Sequence, residues 1–372
     1  MKYVDEFRNP ELTTQLLHEL TAATTKPFRV MEVCGTHTMA IFRSGLRAML
    51  PPDIELISGP GCPVCVTSAS HIDAFLQMAE LPGTQLAVFG DLFRVPGSNG
   101  TTLAHARARG AKIDVVYSPM DGLELARQNP AEQVIFPGIG FETTTPGIAA
   151  TILAARQQNI DNFMVFSTHK TMLPPLMALL GDPALAIDGL LCPGHVSSII
   201  GAAAYQPLAE ENHLSCVVGG FEPTDILQAL ILMARQISEG RAEVENAYTR
   251  AVTWEGNARA RTMVAKIFEP VDMEWRGLGL IKGSGLAIRE EYTQFDAQSR
   301  LSITVPESKE PPGCLCGQIL KGMTTPPVCP LFGRRCTPGT PIGPCMVSSE
   351  GTCSAWFTYG NYSENNLGLN TI

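Results

Sequence analysis

No apolar run in the sequence reaches the roughly 20 residues that a membrane-spanning helix needs. Asp182, Pro183 and Asp188 break the longest candidate, so a helical membrane protein is excluded. A basic excess is also missing. Lys and Arg number 27 against 36 Asp and Glu, for a net charge of -9, whereas a nucleic-acid binder carries a basic footprint. Charge as a whole is scarce, at 17%, against roughly 25% in an average soluble protein. An apolar leader is lacking too, because Asp5, Glu6 and Arg8 stand where a signal peptide is hydrophobic. A cytoplasmic location is expected. Disorder is not, since 45% of the residues are hydrophobic and net charge does not dominate.

What is abundant is turn chemistry and sulfur. The chain has 34 Gly, 28 Pro and 11 Cys. In a reducing compartment such cysteines point to metal, cluster or redox chemistry rather than to a disulfide framework. At roughly 150 residues per domain, the 372 residues make two or three domains.

Residues 1–220 alternate short apolar runs with amphipathic stretches, the pattern of parallel strands and crossover helices. Strands are expected at 28–33, 54–57, 85–89 and 113–117, then at 133–136, 163–166, 186–190 and 215–218. The two sets of four have similar spacing. They predict an α/β fold of two tandem small parallel-sheet units, about four strands each, plus an irregular Cys-rich C-terminal domain. One larger doubly wound sheet is the alternative. The expected domains are 1–128, 129–300 with a helical extension, and 301–372. Within the second, 222–268 reads as helical and 277–288 as short strands or loops. The Pro/Gly/Cys-rich tail lacks apolar residues for a core of its own, so a metal or cluster would organise it.

Cys34-Gly-Thr-His37-Thr lies between a strand and a helical stretch, the place where open α/β sheets bind ligands. A thiol at a helix N-terminus has its thiolate stabilised by free N–H groups, with His37 to assist. Cys34 is therefore expected to be a partly exposed thiolate, and a buried cysteine is the plain alternative. Gly59-Pro-Gly-Cys62-Pro-Val-Cys65 resembles a thioredoxin-like redox dithiol, with half of a zinc site as competitor. Gly138-Ile-Gly-Phe-Glu142-Thr-Thr-Thr-Pro lacks the third glycine of a dinucleotide loop and the ending of a P-loop. It leaves a Glu and hydroxyls at a strand end. His195 in Cys192-Pro-Gly-His-Val and Glu222 in Gly219-Gly-Phe-Glu-Pro stand at the next strand ends. Four strand ends are thus expected to bring Cys, His and Glu to one mouth.

The tail reads Cys316-x12-Cys329-x6-Cys336-x16-Cys353, with Cys314 and Cys345 extra. These gaps fit neither paired zinc knuckles nor the regular ferredoxin spacing. Spacing alone leaves a [4Fe–4S] cluster, zinc and redox disulfides open.

Several of these motifs, in this order and over nearly the whole chain, resemble the HypD family of [NiFe]-hydrogenase maturation factors. They are Cys34-Gly-Thr-His-Thr, Gly59-Pro-Gly-Cys-Pro-Val-Cys, Gly140-Phe-Glu-Thr-Thr, Pro193-Gly-His-Val and Gly220-Phe-Glu. The tail Cys329-Pro-Leu-Phe-Gly…Cys336-Thr-Pro…Met346-Val-Ser-Ser-Glu-Gly-Thr-Cys353 is similar as well. The resemblance implies a redox-active assembly scaffold rather than a conventional turnover enzyme. It implies two partners, a HypC-like small chaperone and a HypE-like cyanide donor, and an iron that receives CO and two cyanides as a transient Fe(CN)2CO unit. It further implies a [4Fe–4S] cluster on Cys316, Cys329, Cys336 and Cys353, iron binding by Cys34 and a redox role for Cys62 and Cys65. His37, Glu142, His195 and Glu222 would serve cyanide nitrogens and proton transfer. No part is implied for Cys314 and Cys345. A free-standing thiol–disulfide oxidoreductase and a zinc-stabilised interaction protein are the competing readings.

Overall fold

The computed structural model describes residues 5–307 and 310–360. The expected first and third domains therefore extend, at 1–4, 308–309 and 361–372, beyond the described residues. Two parallel sheets carry the site. The first has the order β2-β1-β7-β8-β9 and the second β4-β3-β5-β6. Their strands are β1 (Phe28–Glu32), β2 (Ile54–Ser58), β3 (Thr84–Val88), β4 (Lys112–Val115), β5 (Gln133–Gly138), β6 (Phe163–Ser167), β7 (Gly189–Pro193), β8 (Ser215–Gly219) and β9 (Val244–Asn246). The α/β class, the parallel sheets and the Cys-rich C-terminal region are as the sequence predicts.

β3, β7 and β8 are buried along their whole length. Strands covered on both faces need near-continuous apolar runs, which is why they stood out in the sequence. The helix Pro223–Glu239 turns Ile226, Leu230, Met233 and Ile237 inward. It packs with Leu16 and Leu20 of the helix Pro10–Ala23 over one face of the first sheet. Each such aliphatic side chain contributes roughly 1.5–3 kcal/mol when fully buried.

Strand grouping differs from the tandem expectation. The first sheet takes β1 and β2, leaves the chain for the entire second sheet, and resumes with β7, β8 and β9. The second sheet is nested inside the first, so a division at residue 128 falls between β4 and β5, which share a sheet. The physical reason is that an apolar run specifies burial, not partner. β1 satisfies its ladder equally well beside β2 and beside β7, pairing Glu32 with Ser58 on one side and Leu191 on the other.

Nesting produces two switch points. From β1 the chain moves one way to β2, while from the adjacent β7 it moves the other way to β8. β3 and β5 do the same in the second sheet. Crevices open at the carboxyl ends of such strands.

An antiparallel hairpin, β10 (Phe268–Trp275) and β11 (Gly279–Ile288), follows the helix Ala258–Ile267. It bridges to Thr67 through Trp275 and to Lys170 through Gly285. At its tip Gly277 has φ +74°, and a Cβ there would sit 2.2 Å from Gly317 Cα. Only glycine fits. The Cys-rich segment thereby docks on the hairpin, and its Ile319, Leu320, Phe332 and Met346 join one core with Met31, Val33 and Trp275. The tail, which the sequence shows to lack a core of its own, borrows apolar partners from the first sheet. Among the described residues no helix is long and apolar enough to cross a membrane.

Candidate functional site

Cys34 leaves β1 in an extended conformation and is the N-cap of the helix Gly35–Arg43. The helix start at Thr36 and His37 and the Thr36 hydroxyl favour its thiolate electrostatically, though no side-chain hydrogen bond caps the helix there. The expected exposure is absent, however. Cys34 is 7% exposed, and burial, then the charge of Glu350, push its thiol up to about 12. The cover is the C-terminal segment, whose Glu350 Oε1 accepts from Thr36 Oγ1 at 2.5 Å. A protonated, covered thiol replaces the partly exposed thiolate.

Cys62 and Cys65 are joined by a disulfide, Cα to Cα 5.2 Å, in the short helix Pro63–Val66 after β2. The bridge lies beside Cys34. Gly35 N–H donates to Gly61 O at 3.0 Å, and a Cβ on Gly61 would lie 2.2 Å from the Cys34 nitrogen. The two motifs close on each other only because Gly61 has no side chain.

His37 is fully buried. Its Nε2–H donates to Gly220 O at 2.9 Å, which fixes the tautomer and leaves Nδ1 as an acceptor. That Nδ1 is buried without a partner among the described residues. Burial lowers the ring's pKa to about 4. Phe221 lies between His37 and the exposed His195, with ring centroids 4.8 and 4.0 Å away. Both imidazoles therefore belong to one aromatic cluster at the ends of β7 and β8.

Two expected members of the mouth are placed differently. Glu222 turns to Arg8, whose Nε and Nη2 each donate at 2.7 Å. The Arg8 hydrogen bond holds its carboxyl below the usual range. Glu142 belongs to the second sheet, after β5. Its Oε1 accepts from Met172 N–H at 2.9 Å, its Oε2 is buried and unpartnered, and burial raises it to about 7. It lines an apolar cavity of about 210 Å³ with Thr171 and Phe268. One mouth of four strand ends is thus two neighbouring sites: Cys34, His37 and His195 at one switch point, Glu142 at the other.

The tail gathers its sulfur. Cys314, Cys316, Cys329, Cys336, Cys345 and Cys353 all line one cavity of about 20 Å³. Cys316 Sγ lies 2.9 Å from Cys345 Sγ, and Ile342 N–H donates to Cys336 Sγ at 3.4 Å. Burial and neighbouring thiols push Cys353 up. Among the described residues no three His, Cys, Asp or Glu side chains gather as a site for a single metal ion. The donor set itself, six soft sulfurs on one wall, suits iron and sulfide.

The profile of the HypD family, described as "Hydrogenase formation hypA family", matches residues 11–360. A Bradyrhizobium diazoefficiens protein named hydrogenase maturation factor HypD2 is 47% identical, with 98% of each chain covered. The chain belongs to the HypD family of hydrogenase maturation factors. The HypD of Azotobacter vinelandii is 45% identical over 97% of each chain. That of Escherichia coli K12 is 44% identical over 96% of this chain and 98% of its own.

Family membership gives the motifs a common purpose but does not single out the residues between them. Glu350, Glu32 and Arg276 escaped the sequence reading. Glu32 is fully buried at the end of β1 and accepts from Ser58 Oγ at 2.9 Å. Its signal was present, as an acid inside the apolar run Val30-Met-Glu-Val-Cys34. Glu350 and Arg276 gave none, because each acts on a residue far away in sequence.

Proposed function

We propose that this HypD-family chain is the scaffold on which an iron substrate, held by Cys34, receives its cyanide and CO ligands. A HypC-like chaperone and a HypE-like cyanide donor act with it in the cytoplasm. The observation that carries the reading is the contact of Gly61 with the Cys34 backbone, which seats a cysteine at a switch point directly beside a disulfide. Soft thiolate suits a low-spin iron with diatomic ligands.

The residues present define what the chain does. A thiol raised to about 12 stays protonated until a cation takes the proton's place, so iron uptake releases a proton. The Thr36 hydroxyl, between Cys34 and Glu350, is the route, and the half-buried Glu350 carboxyl, its pKa raised by desolvation, is the acceptor. The helix start at Thr36 and His37 then favours the thiolate. The His195 ring is left to meet the iron's ligands, while His37 Nδ1 offers an acceptor only.

The tail cysteines fit a [4Fe–4S] cluster by donor chemistry, and when bound it supplies single electrons. The family resemblance implies Cys316, Cys329, Cys336 and Cys353 as ligands. The 2.9 Å approach of Cys316 to Cys345 favours a second reading, in which these two form a dithiol and Cys314 is the fourth ligand.

Infrared spectra of anaerobically purified protein, with and without a HypC-like partner, test the function. Cyanide and CO bands that require Cys34 support the scaffold. A brown protein that reduces a protein disulfide and never carries the bands supports the oxidoreductase instead.

A further inference from the structure

Arg276 occupies the tip of the β10–β11 hairpin and is 2% exposed. Its main-chain N–H donates to Val66 O at 2.8 Å, and its Nε to Thr67 O at 2.9 Å. These carbonyls close the helix that carries the Cys62–Cys65 bridge. Nη1 donates to Glu310 Oε2 at 2.6 Å, the carboxylate being 45% exposed. Nη2 is buried and has no partner among the described residues. A buried donor left unpaired costs about 1–3 kcal/mol, more when charged, so an orphan on a guanidinium marks the place of an acceptor.

The direction of that acceptor follows from the neighbours. Arg276 acts electrostatically on Cys314, Cys316 and Cys345, all in the wall of the cysteine cavity. Next to Arg276, Gly277 packs on Gly317, one residue from Cys316. Arg276 thus holds the end of the dithiol helix, and the residue beside it packs on the turn that carries Cys316.

We propose that Arg276 is a positioning residue that couples the Cys62–Cys65 bridge to the cysteine cavity, its Nη2 donating to a sulfur of the thiolate-held group. Its Nε and main-chain N–H hold the end of the dithiol helix meanwhile. The inference rests on the cluster reading above. Hydrogen bonds to sulfur and a nearby positive charge favour an added electron. Arg276 therefore raises the potential of the cluster and favours the reduced form of the dithiol.

The test uses the full chain, purified and reconstituted with iron and sulfide, as wild type, R276Q, R276K and E310Q. Three quantities are measured: iron and sulfide content, the cluster's midpoint by spectroscopic titration, and alkylation of Cys62 and Cys65 across graded thiol buffers. R276Q is expected to keep its iron while its reduction equilibrium falls about tenfold, equivalent to about 59 mV for one electron. Its dithiol equilibrium moves at least threefold toward the disulfide. R276K, which keeps the charge, recovers part of the cluster shift. E310Q removes the compensating carboxylate and shifts both equilibria the opposite way, a sign that mere loosening does not produce. A loaded R276Q chain with both equilibria within twofold of wild type overturns the role of Arg276. If R276Q fails to fold, an E310Q chain indistinguishable from wild type overturns it. A wild-type chain that takes up no iron and sulfide overturns the cluster reading itself.

Discussion

The switch point at Cys34 and the cysteine cavity of the tail both concentrate sulfur, yet they are built in opposite ways. At the switch point regular structure does the placing: a strand end, a helix start and a glycine contact fix Cys34 and the disulfide. In the tail short helical pieces and turns bring six thiols to one wall. The first region is framed by main-chain contacts of regular elements. The second has thiols packed against thiols, with Cys316 and Cys345 only 2.9 Å apart, on turns that lean on the apolar core of the first sheet.

The sharpest way to break this contrast is to remove one sulfur from each. Cys34→Ala should abolish the infrared cyanide and CO bands while iron and sulfide in the tail stay at the wild-type level. Cys353→Ala should bleach the brown colour and open the tail to proteolysis. If Cys34→Ala also empties the tail, the two regions are one site.

Next comes the choice of fourth ligand. If Cys316 and Cys345 form a dithiol, Cys314→Ala loses the cluster and Cys316→Ala keeps most of its iron. The reverse pattern returns Cys316 to the ligand set. Iron analysis of the two variants side by side decides it.

A smaller effect tests the rigidity of the switch point. Burial raises Glu32 from 4.5 to about 7, so its contribution to stability is complete below about pH 4.5 and is lost as pH rises through 7. Glu32→Gln keeps the Ser58 hydrogen bond and removes the titration. It should match wild type near pH 4.5 and exceed it at pH 8 by up to about 3 kcal/mol. Parallel denaturation curves at the two pH values with an equal gap would refute this.

The smallest effect concerns Glu222. Its partner Arg8 is exposed, and such pairs contribute about 0–1 kcal/mol. Glu222→Gln should leave the infrared bands unchanged and lower stability by less than about 1 kcal/mol. Loss of the bands would bring Glu222 back to the site.

The same contrast explains what was legible in the sequence. Runs such as those at 133–136 and 215–218 announce themselves because a strand buried on both faces must be apolar throughout. Cys34 and Cys62 were placed at strand-to-helix turns by the same logic. Their mutual contact was not legible, because Gly61 against Cys34 is a fact of packing and spacing alone carries no such information. Nor was the nesting, since β1 pairs with β7 across a long excursion of chain that leaves no local trace. In the tail the convergence of cysteines could be guessed from their density. The partnership of Cys316 with Cys345 could not, because irregular turns have no period to read.

Nesting also fixes an order of events during synthesis. β3 to β6 are contiguous, so the second sheet can form as soon as residue 167 has left the ribosome. β1 and β2 emerge earlier but form a two-stranded ribbon with an open edge until β7 arrives. At about 5–20 residues per second, that wait is on the order of 10–30 s. The apolar edge holding Val30 and Met31 is therefore the part of the nascent chain most exposed to wrong partners, and Cys34 waits uncovered with it until the segment bearing Glu350, near the very end, closes over it.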